Sequence, residues 1–200
     1  MQINIDKRSS YNEIHIIMLL RSLKKKPKGR MPLSKELSLG ESTIRTMLNT
    51  LKTCRLTKST TRGETLTKKG QIAVDTINSK ISQPYHLDIK AFTLHGNNIG
   101  HTLRGHKTQT TNITDIRDSA IKMGAEGLIL ISKEETQKII GMDDNNIEIP
   151  KTISSTMTPE KGDTIIITFA KSRNASELAG LGIAIELSGF SIDITDKKKR

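Results

Sequence analysis

A chain of 200 residues with 34% hydrophobic and only 2% aromatic content has room for two modest cores built on Ile, Leu and Met. The net charge of +11 points to a polyanionic partner. The single cysteine, Cys54, excludes an intramolecular disulfide and fits a cytoplasmic location, and the apolar run 16–20 is too short for a signal core or a membrane span, so no membrane association is expected.

The charge is unevenly placed. Residues 1–81 carry 17 Lys and Arg against 6 Asp and Glu, whereas residues 82–200 carry 15 of each. One basic domain over 1–81, one near-neutral domain over 85–190 and a basic tail over 191–200 is the simplest division.

Residues 11–25 read as a helix, with Ser10 as N-cap, Ile14, Ile17, Met18 and Leu20 as its apolar positions, and Lys24, Lys25 and Lys26 at its negative end. The stretch 27–30 breaks it. Pro32 suits a first helical position, so a short helix is expected over 33–38, followed by a tight turn at Leu39-Gly40 in which the glycine supplies the freedom. Residues 41–53 form a third helix, with Ile44, Met47, Leu48 and Leu51 on one face. Two β-prone runs, 56–60 and 65–67, flank Arg62-Gly63 and read as a hairpin. Thr67 then caps a helix over 68–80, which Ser82-Gln83-Pro84 ends.

Beyond that point Leu87, Ile89 and Ala91 alternate as in a half-buried strand. The polar stretch 95–111 has no period and reads as a mobile loop. Residues 112–123 are helical and stop at Gly124, 127–132 and 137–142 are strands, and 163–170 is the clearest buried strand. A last helix over 175–187 has Asn174 and Glu177 as a capping-box pair, and its small residues Ala175, Ala179, Gly182 and Ala184 suit close packing on a sheet or a partner.

The third helix carries the chemistry. Opposite its apolar stripe lie Ser42, Arg45, Thr46 and Asn49, at helical spacings of 3, 4 and 7. Arg can chelate guanine, Asn can pair with adenine and Thr can meet a thymine methyl, so this face suits duplex DNA. Thr43 and Lys52 flank it. The hairpin carries Lys58 and Arg62, and Lys28 and Arg30 lie just before the second helix; these four suit the phosphate backbone. The competing reading is an ordinary helical hairpin with a solvated basic face, which the concentration of charge in one small domain argues against.

The run Pro32-Leu33-Ser34-Lys35-Glu36-Leu37-Ser38-Leu39-Gly40-Glu41-Ser42-Thr43-Ile44-Arg45-Thr46-Met47-Leu48 resembles the helix-turn-helix core of archaeal and bacterial winged-helix regulators. With Asn112-Ile113-Thr114-Asp115-Ile116-Arg117-Asp118-Ser119-Ala120-Ile121-Lys122-Met123-Gly124-Ala125-Glu126-Gly127, the layout is similar to an uncharacterised archaeal family that joins a winged helix to a C-terminal domain of unknown function. The resemblance implies DNA binding by the first domain and assigns no ligand or activity to the second.

Other signals are weaker. His86, His95, His101 and His106 have no metal-ligand spacing, and no metal or cofactor is expected. Gly180-Leu181-Gly182 lies inside a helical pattern and not at a strand-to-helix turn, so it is a poor phosphate loop. Cys54 reads as a small buried residue in preference to a redox sensor. No nucleophile triad, metalloprotease motif, P-loop or carboxylate pair is present, so no enzyme is expected.

The expected fold class is α+β: a winged helix-turn-helix followed by a small two-layer α/β sandwich, a mixed sheet with two helices on one face. The expected function is a transcriptional regulator that reads duplex DNA through helix 41–53 and the wing 56–67. Its second domain would dimerise the chain, bind a small-molecule effector, or both. The alternatives are a small-molecule enzyme carrying a winged helix, a layout shared with an archaeal riboflavin kinase family whose phosphate-binding features are missing here, and a module that binds RNA or protein.

Overall fold

A computed structural model of the chain describes residues 9–90, 92–94, 96–108, 112–142 and 147–190. The expected strand position Ala91, His95, residues 109–111 of the expected loop, and the tail 191–200 lie outside the described residues. The chain divides into two compact units, which meet in sequence between Ile77 and Asn78.

The first unit begins with α1, Glu13–Lys25. Its N-cap is Asn12, not Ser10: the Asn12 side chain accepts from the His15 amide, and His15 reaches back to the Asn12 amide in a capping box. The helix α2, Arg30–Leu37, starts earlier than Pro32 suggests. Gly29 is its N-cap and Pro32 falls at its third residue, where a missing N–H still costs no helical bond. The turn into α3, Glu41–Thr53, takes its left-handed residue at Ser38, with φ of 54°, while Gly40 has an ordinary extended conformation. Ser38 is held there by its own N–H bonded to the Ser34 carbonyl, and Ser34 Oγ closes the turn on the Leu39 carbonyl at 2.5 Å.

Leu33, Leu37, Ile44, Met47, Leu48 and Leu51 are fully or almost fully buried, which fixes α2 against α3. The hairpin follows as β1, Thr57–Thr60, and β2, Gly63–Leu66, antiparallel, with Thr61 and Arg62 at the turn. Lys28 and Glu64 form a β-bridge through both backbone bonds, at 3.0 and 2.9 Å, and so add a third strand's edge to the hairpin. Gly63 is required at this junction, because its φ is +117° and a Cβ would lie 2.6 Å from the Lys28 carbonyl carbon. Helix α4, Lys68–Lys80, follows, with Thr67 Oγ1 accepting from the Gly70 amide as expected, and the boundary of the unit falls within its last turn. Helices α1, α2 and α3, the hairpin and the bridging segment make the winged helix-turn-helix arrangement, with α4 after it.

The second unit is a five-stranded sheet in the order β3, β4, β7, β5, β6. These strands are β3, Tyr85–Leu87; β4, Asn97–Leu103; β5, Gly127–Lys133; β6, Gln137–Ile139; and β7, Asp163–Ala170. The fold class is α+β as read from the sequence, but the sheet is not mixed: every neighbouring pair is antiparallel. The expected loop 95–111 is also corrected, because its middle is β4, paired on both sides and buried from Asn98 to Leu103.

Helix α5, Ile113–Lys122, is capped by Asn112, and Gly124 follows it at φ of +97°. It packs with α7, Arg173–Ser188, whose cap is Ser172 and not Asn174. Helix α7 lies on β4 and β7, and Gly180 lets it approach: a Cβ there would sit 2.7 Å from Thr168 Oγ1 and 3.0 Å from the His101 ring. Gly180 therefore serves the packing of this helix on the sheet. The expected two-layer sandwich gains a third element on the opposite face, the short α6, Lys151–Met157. Its Ile153 and Met157 join Leu87, Ile89, Ile131, Ile165 and Ile167 in one cluster. Among the described residues no helix is long and apolar enough to cross a membrane.

Candidate nucleic-acid interface

Helix α3 divides its residues sharply. Ile44, Met47, Leu48 and Leu51 are buried, whereas Ser42, Arg45, Thr46 and Asn49 are exposed. The polar face is only partly free to bond outward. Thr46 Oγ1 bonds back to the Ser42 carbonyl at 3.1 Å, a common bond for a helical threonine. Thr43, half-buried, shares a hydrogen bond of 2.9 Å with Ser10 Oγ. Arg45 and Asn49 line an open depression together with Arg30, Leu48, Lys52 and Glu64. Thus α2 supplies Arg30, α3 supplies the floor and β2 supplies the acid.

Two of the predicted lysines, Lys28 and Lys52, behave differently from the arginines. Lys28 Nζ bonds Ser22 Oγ at 2.8 Å and Glu36 Oε2 at 2.5 Å, with its side chain largely buried. Lys52 Nζ bonds Glu64 Oε1 at 2.6 Å. These two cations are engaged within the protein. Lys58 and Arg62, by contrast, stand exposed on the hairpin, Arg62 at its turn. Two further basic residues near the face are also engaged: Lys24 with Asp75 at 2.5 Å, and Lys69 with the Cys54 carbonyl at 3.1 Å.

Glu64 was no candidate from the sequence, yet it ties the wing together. Its amide and carbonyl bridge Lys28, and its carboxylate takes both Lys52 Nζ and, at 3.0 Å, Ser59 Oγ. Its Oε2 is buried and has no hydrogen-bond partner among the described residues. Nothing in the spacing of Lys52 and Glu64, on a helix and a strand, signals the pair.

Among the described residues the histidines do not converge, and His95 lies outside them. His101 is fully buried on β4, with Nδ1 3.2 Å from the Ser82 carbonyl. His86 is exposed on β3; burial and then the charge of Arg173 lower its pKa from 6.5. His106 is half-buried, and its carbonyl accepts from Thr164 Oγ1 at 2.7 Å. Among the described residues no group of three or more His, Cys, Asp or Glu is placed to hold a metal ion. Cys54 is half-buried just after α3.

The comparisons with known proteins follow the same two-part division. No curated protein matches the chain. In solved structures it is similar to the "Hypothetical protein PH0730 from Pyrococcus horikoshii OT3", with a TM-score of 0.73 and 24% identity over 90% of this chain and 94% of that one. At that identity the likeness is one of fold. Residues 13–72 match the family described as "PH0730-like, N-terminal domain", and residues 94–187 match the family described as "Domain of unknown function (DUF4443)".

Proposed function

We propose that this protein is a DNA-binding transcriptional regulator whose helix α3 enters the major groove while the β1–β2 hairpin meets the flanking backbone. The observation that carries this reading is the division of α3. Its apolar face is consumed by the core, and the opposite face leaves Arg45 and Asn49 open beside Arg30. Arg and Asn are the side chains that form bidentate bonds to guanine and adenine edges, and a helix is what the major groove admits. Exposed Lys58 and Arg62 sit on the hairpin, where phosphate contacts set register and not sequence. The match to the PH0730-like N-terminal domain fits this reading and names no activity.

The regulator works as a homodimer in this reading, since a single small domain buries too little surface for high specificity. The second unit then serves self-association or the binding of a small-molecule effector.

The test is a titration of the full chain against duplex DNA and against double-stranded RNA of the same sequence, at several salt concentrations. Binding to DNA that weakens steeply with salt, and little binding to RNA, is the expected result. Equal affinity for both would favour an RNA-binding role, and no binding to either would end the proposal. Sedimentation of the free and DNA-bound protein checks the dimer.

A further inference from the structure

The depression beside α3 holds one acid among its basic residues, and that acid is placed to act on a neighbour. Glu64 is fixed at its backbone by the Lys28 bridge and at its carboxylate by Lys52 and Ser59. Its side chain is 13% exposed and its Oε2 is buried without a partner, while Lys52 is 35% exposed. Moving the Lys52 ammonium to an outside anion would strand a largely buried carboxylate, which is the costly way to break such a pair. Arg30 and Arg45 line the same depression and are exposed.

We propose that Glu64 is a positioning residue that withholds Lys52 from nucleic-acid phosphate and latches α3 to the hairpin. This inference rests on the DNA-binding reading above. The latch lowers the sequence-independent charge on the face that reads bases. It also holds the wing at a set distance from α3, because one carboxylate bonds a residue of the helix and a residue of β1. Non-specific affinity scales with the number of phosphates neutralised, so a cation held back raises the ratio of specific to non-specific binding. Arg30 and Arg45 remain the cations of the depression that meet DNA.

The experiment uses the full chain and four proteins: wild type, Lys52→Met, Glu64→Gln and the double variant. Each is titrated with a random-sequence duplex over a range of salt, and the slope of log affinity against log salt is compared. Each phosphate neutralised adds about 0.9 to that slope. Lys52→Met leaves the slope at its wild-type value. Glu64→Gln steepens it by about 0.9, and the double variant returns it to wild type. The second readout needs no DNA: amine labelling followed by mass spectrometry finds Lys52 slower than Lys58 in the wild type and as fast as Lys58 in Glu64→Gln.

A Lys52→Met protein whose slope flattens by about 0.9 would overturn the proposal, since Lys52 would then be a phosphate ligand. So would labelling of Lys52 that is as fast as Lys58 in the wild type, or that Glu64→Gln leaves unchanged. If Glu64→Gln fails to fold, Lys52→Met and the wild-type labelling decide alone. If the wild type binds no duplex, the DNA-binding reading has failed, and the labelling still decides whether Glu64 holds Lys52.

Discussion

Helix α3 of the first unit and the sheet of the second place their polar side chains in opposite ways. In the first, α3 turns its apolar residues into the core and leaves Ser42, Arg45, Thr46 and Asn49 outside. In the second, the sheet takes polar residues inward: Asn98, His101, Thr102, Thr164 and Thr168 are all buried. Part of the inward group is spent on cohesion: His101, Thr164 and Thr168 bond backbone carbonyls, whereas Asn98 Nδ2 and Oδ1 and Thr102 Oγ1 have no hydrogen-bond partner among the described residues. Thr168 Oγ1 donates to the Ser176 carbonyl at 2.7 Å, and Ser176 Oγ donates to the Asn97 carbonyl at 2.7 Å, which ties α7 to both central strands. A polar face that the core excludes is thus free to meet a partner, whereas a polar residue that the fold surrounds is only in part engaged in internal bonding.

Substitutions can break this comparison. The largest effect is expected at Leu48, which is 2% exposed on the inner face of α3. Leu48→Ala should cost about 2–5 kcal/mol by leaving a cavity. Denaturant unfolding followed by a probe in the first unit measures it, and a cost below about 1 kcal/mol would mean that the helix is not held by its apolar stripe. Ser176→Ala tests the other unit. It leaves the half-buried Asn97 carbonyl without its hydroxyl donor, at a cost of about 1 kcal/mol, and it should leave DNA affinity unchanged. A loss of affinity with no loss of stability would show that the inward polar group serves binding after all.

Effects on binding alone come next. Arg45→Ala should lose about 1–3 kcal/mol at a selected site and relax preference at one base position, without change in melting temperature. Arg62→Ala should weaken all duplexes about equally and flatten the salt slope by roughly one unit. Identical behaviour of the two variants on selected and scrambled duplexes would contradict the division between reading and positioning.

The smallest effect concerns pH. Burial lowers the His15 pKa from 6.5, and the His15 ring closes the capping box of α1 on Asn12. As pH falls, the unfolded chain takes up this proton first. Stability is therefore full above 6.5 and declines as pH drops through that value toward the lower pKa of the folded state. A pH series of unfolding midpoints on wild type and His15→Gln measures it, and the variant should lose most of the slope that this group contributes as pH falls through 6.5.

The same contrast explains what the sequence made legible. Helix α3 is found with its expected bounds because one face is consistently apolar. Strand β4 reads as a loop because its buried positions include Asn98, Gly100, His101 and Thr102, a pattern with neither period that marks an element. Helix α6 offers only Ile153 and Met157 within a Ser- and Thr-rich turn. At the candidate interface, Arg45 and Asn49 follow from helical spacing, and Arg62 from the hairpin signal. The engagement of Lys28 and Lys52 does not, since charge can be counted along a chain but its pairing is set by tertiary distance.

The position of β7 in the sheet has a consequence for how the protein comes to be folded. This strand is the centre of the five and yet the last of them in the chain, pairing 164–170 with 97–103 and 163–169 with 127–133. Neither half of the sheet can zip onto its centre until residue 170 has emerged from the ribosome. The first unit needs no such wait, because its helices and hairpin are all made by residue 80. Chains dominated by distant pairings fold more slowly than those with local contacts. During synthesis the basic unit is therefore formed while β4 and β5 still expose the edges that β7 will cover, and that interval is when the chain is most open to misassembly.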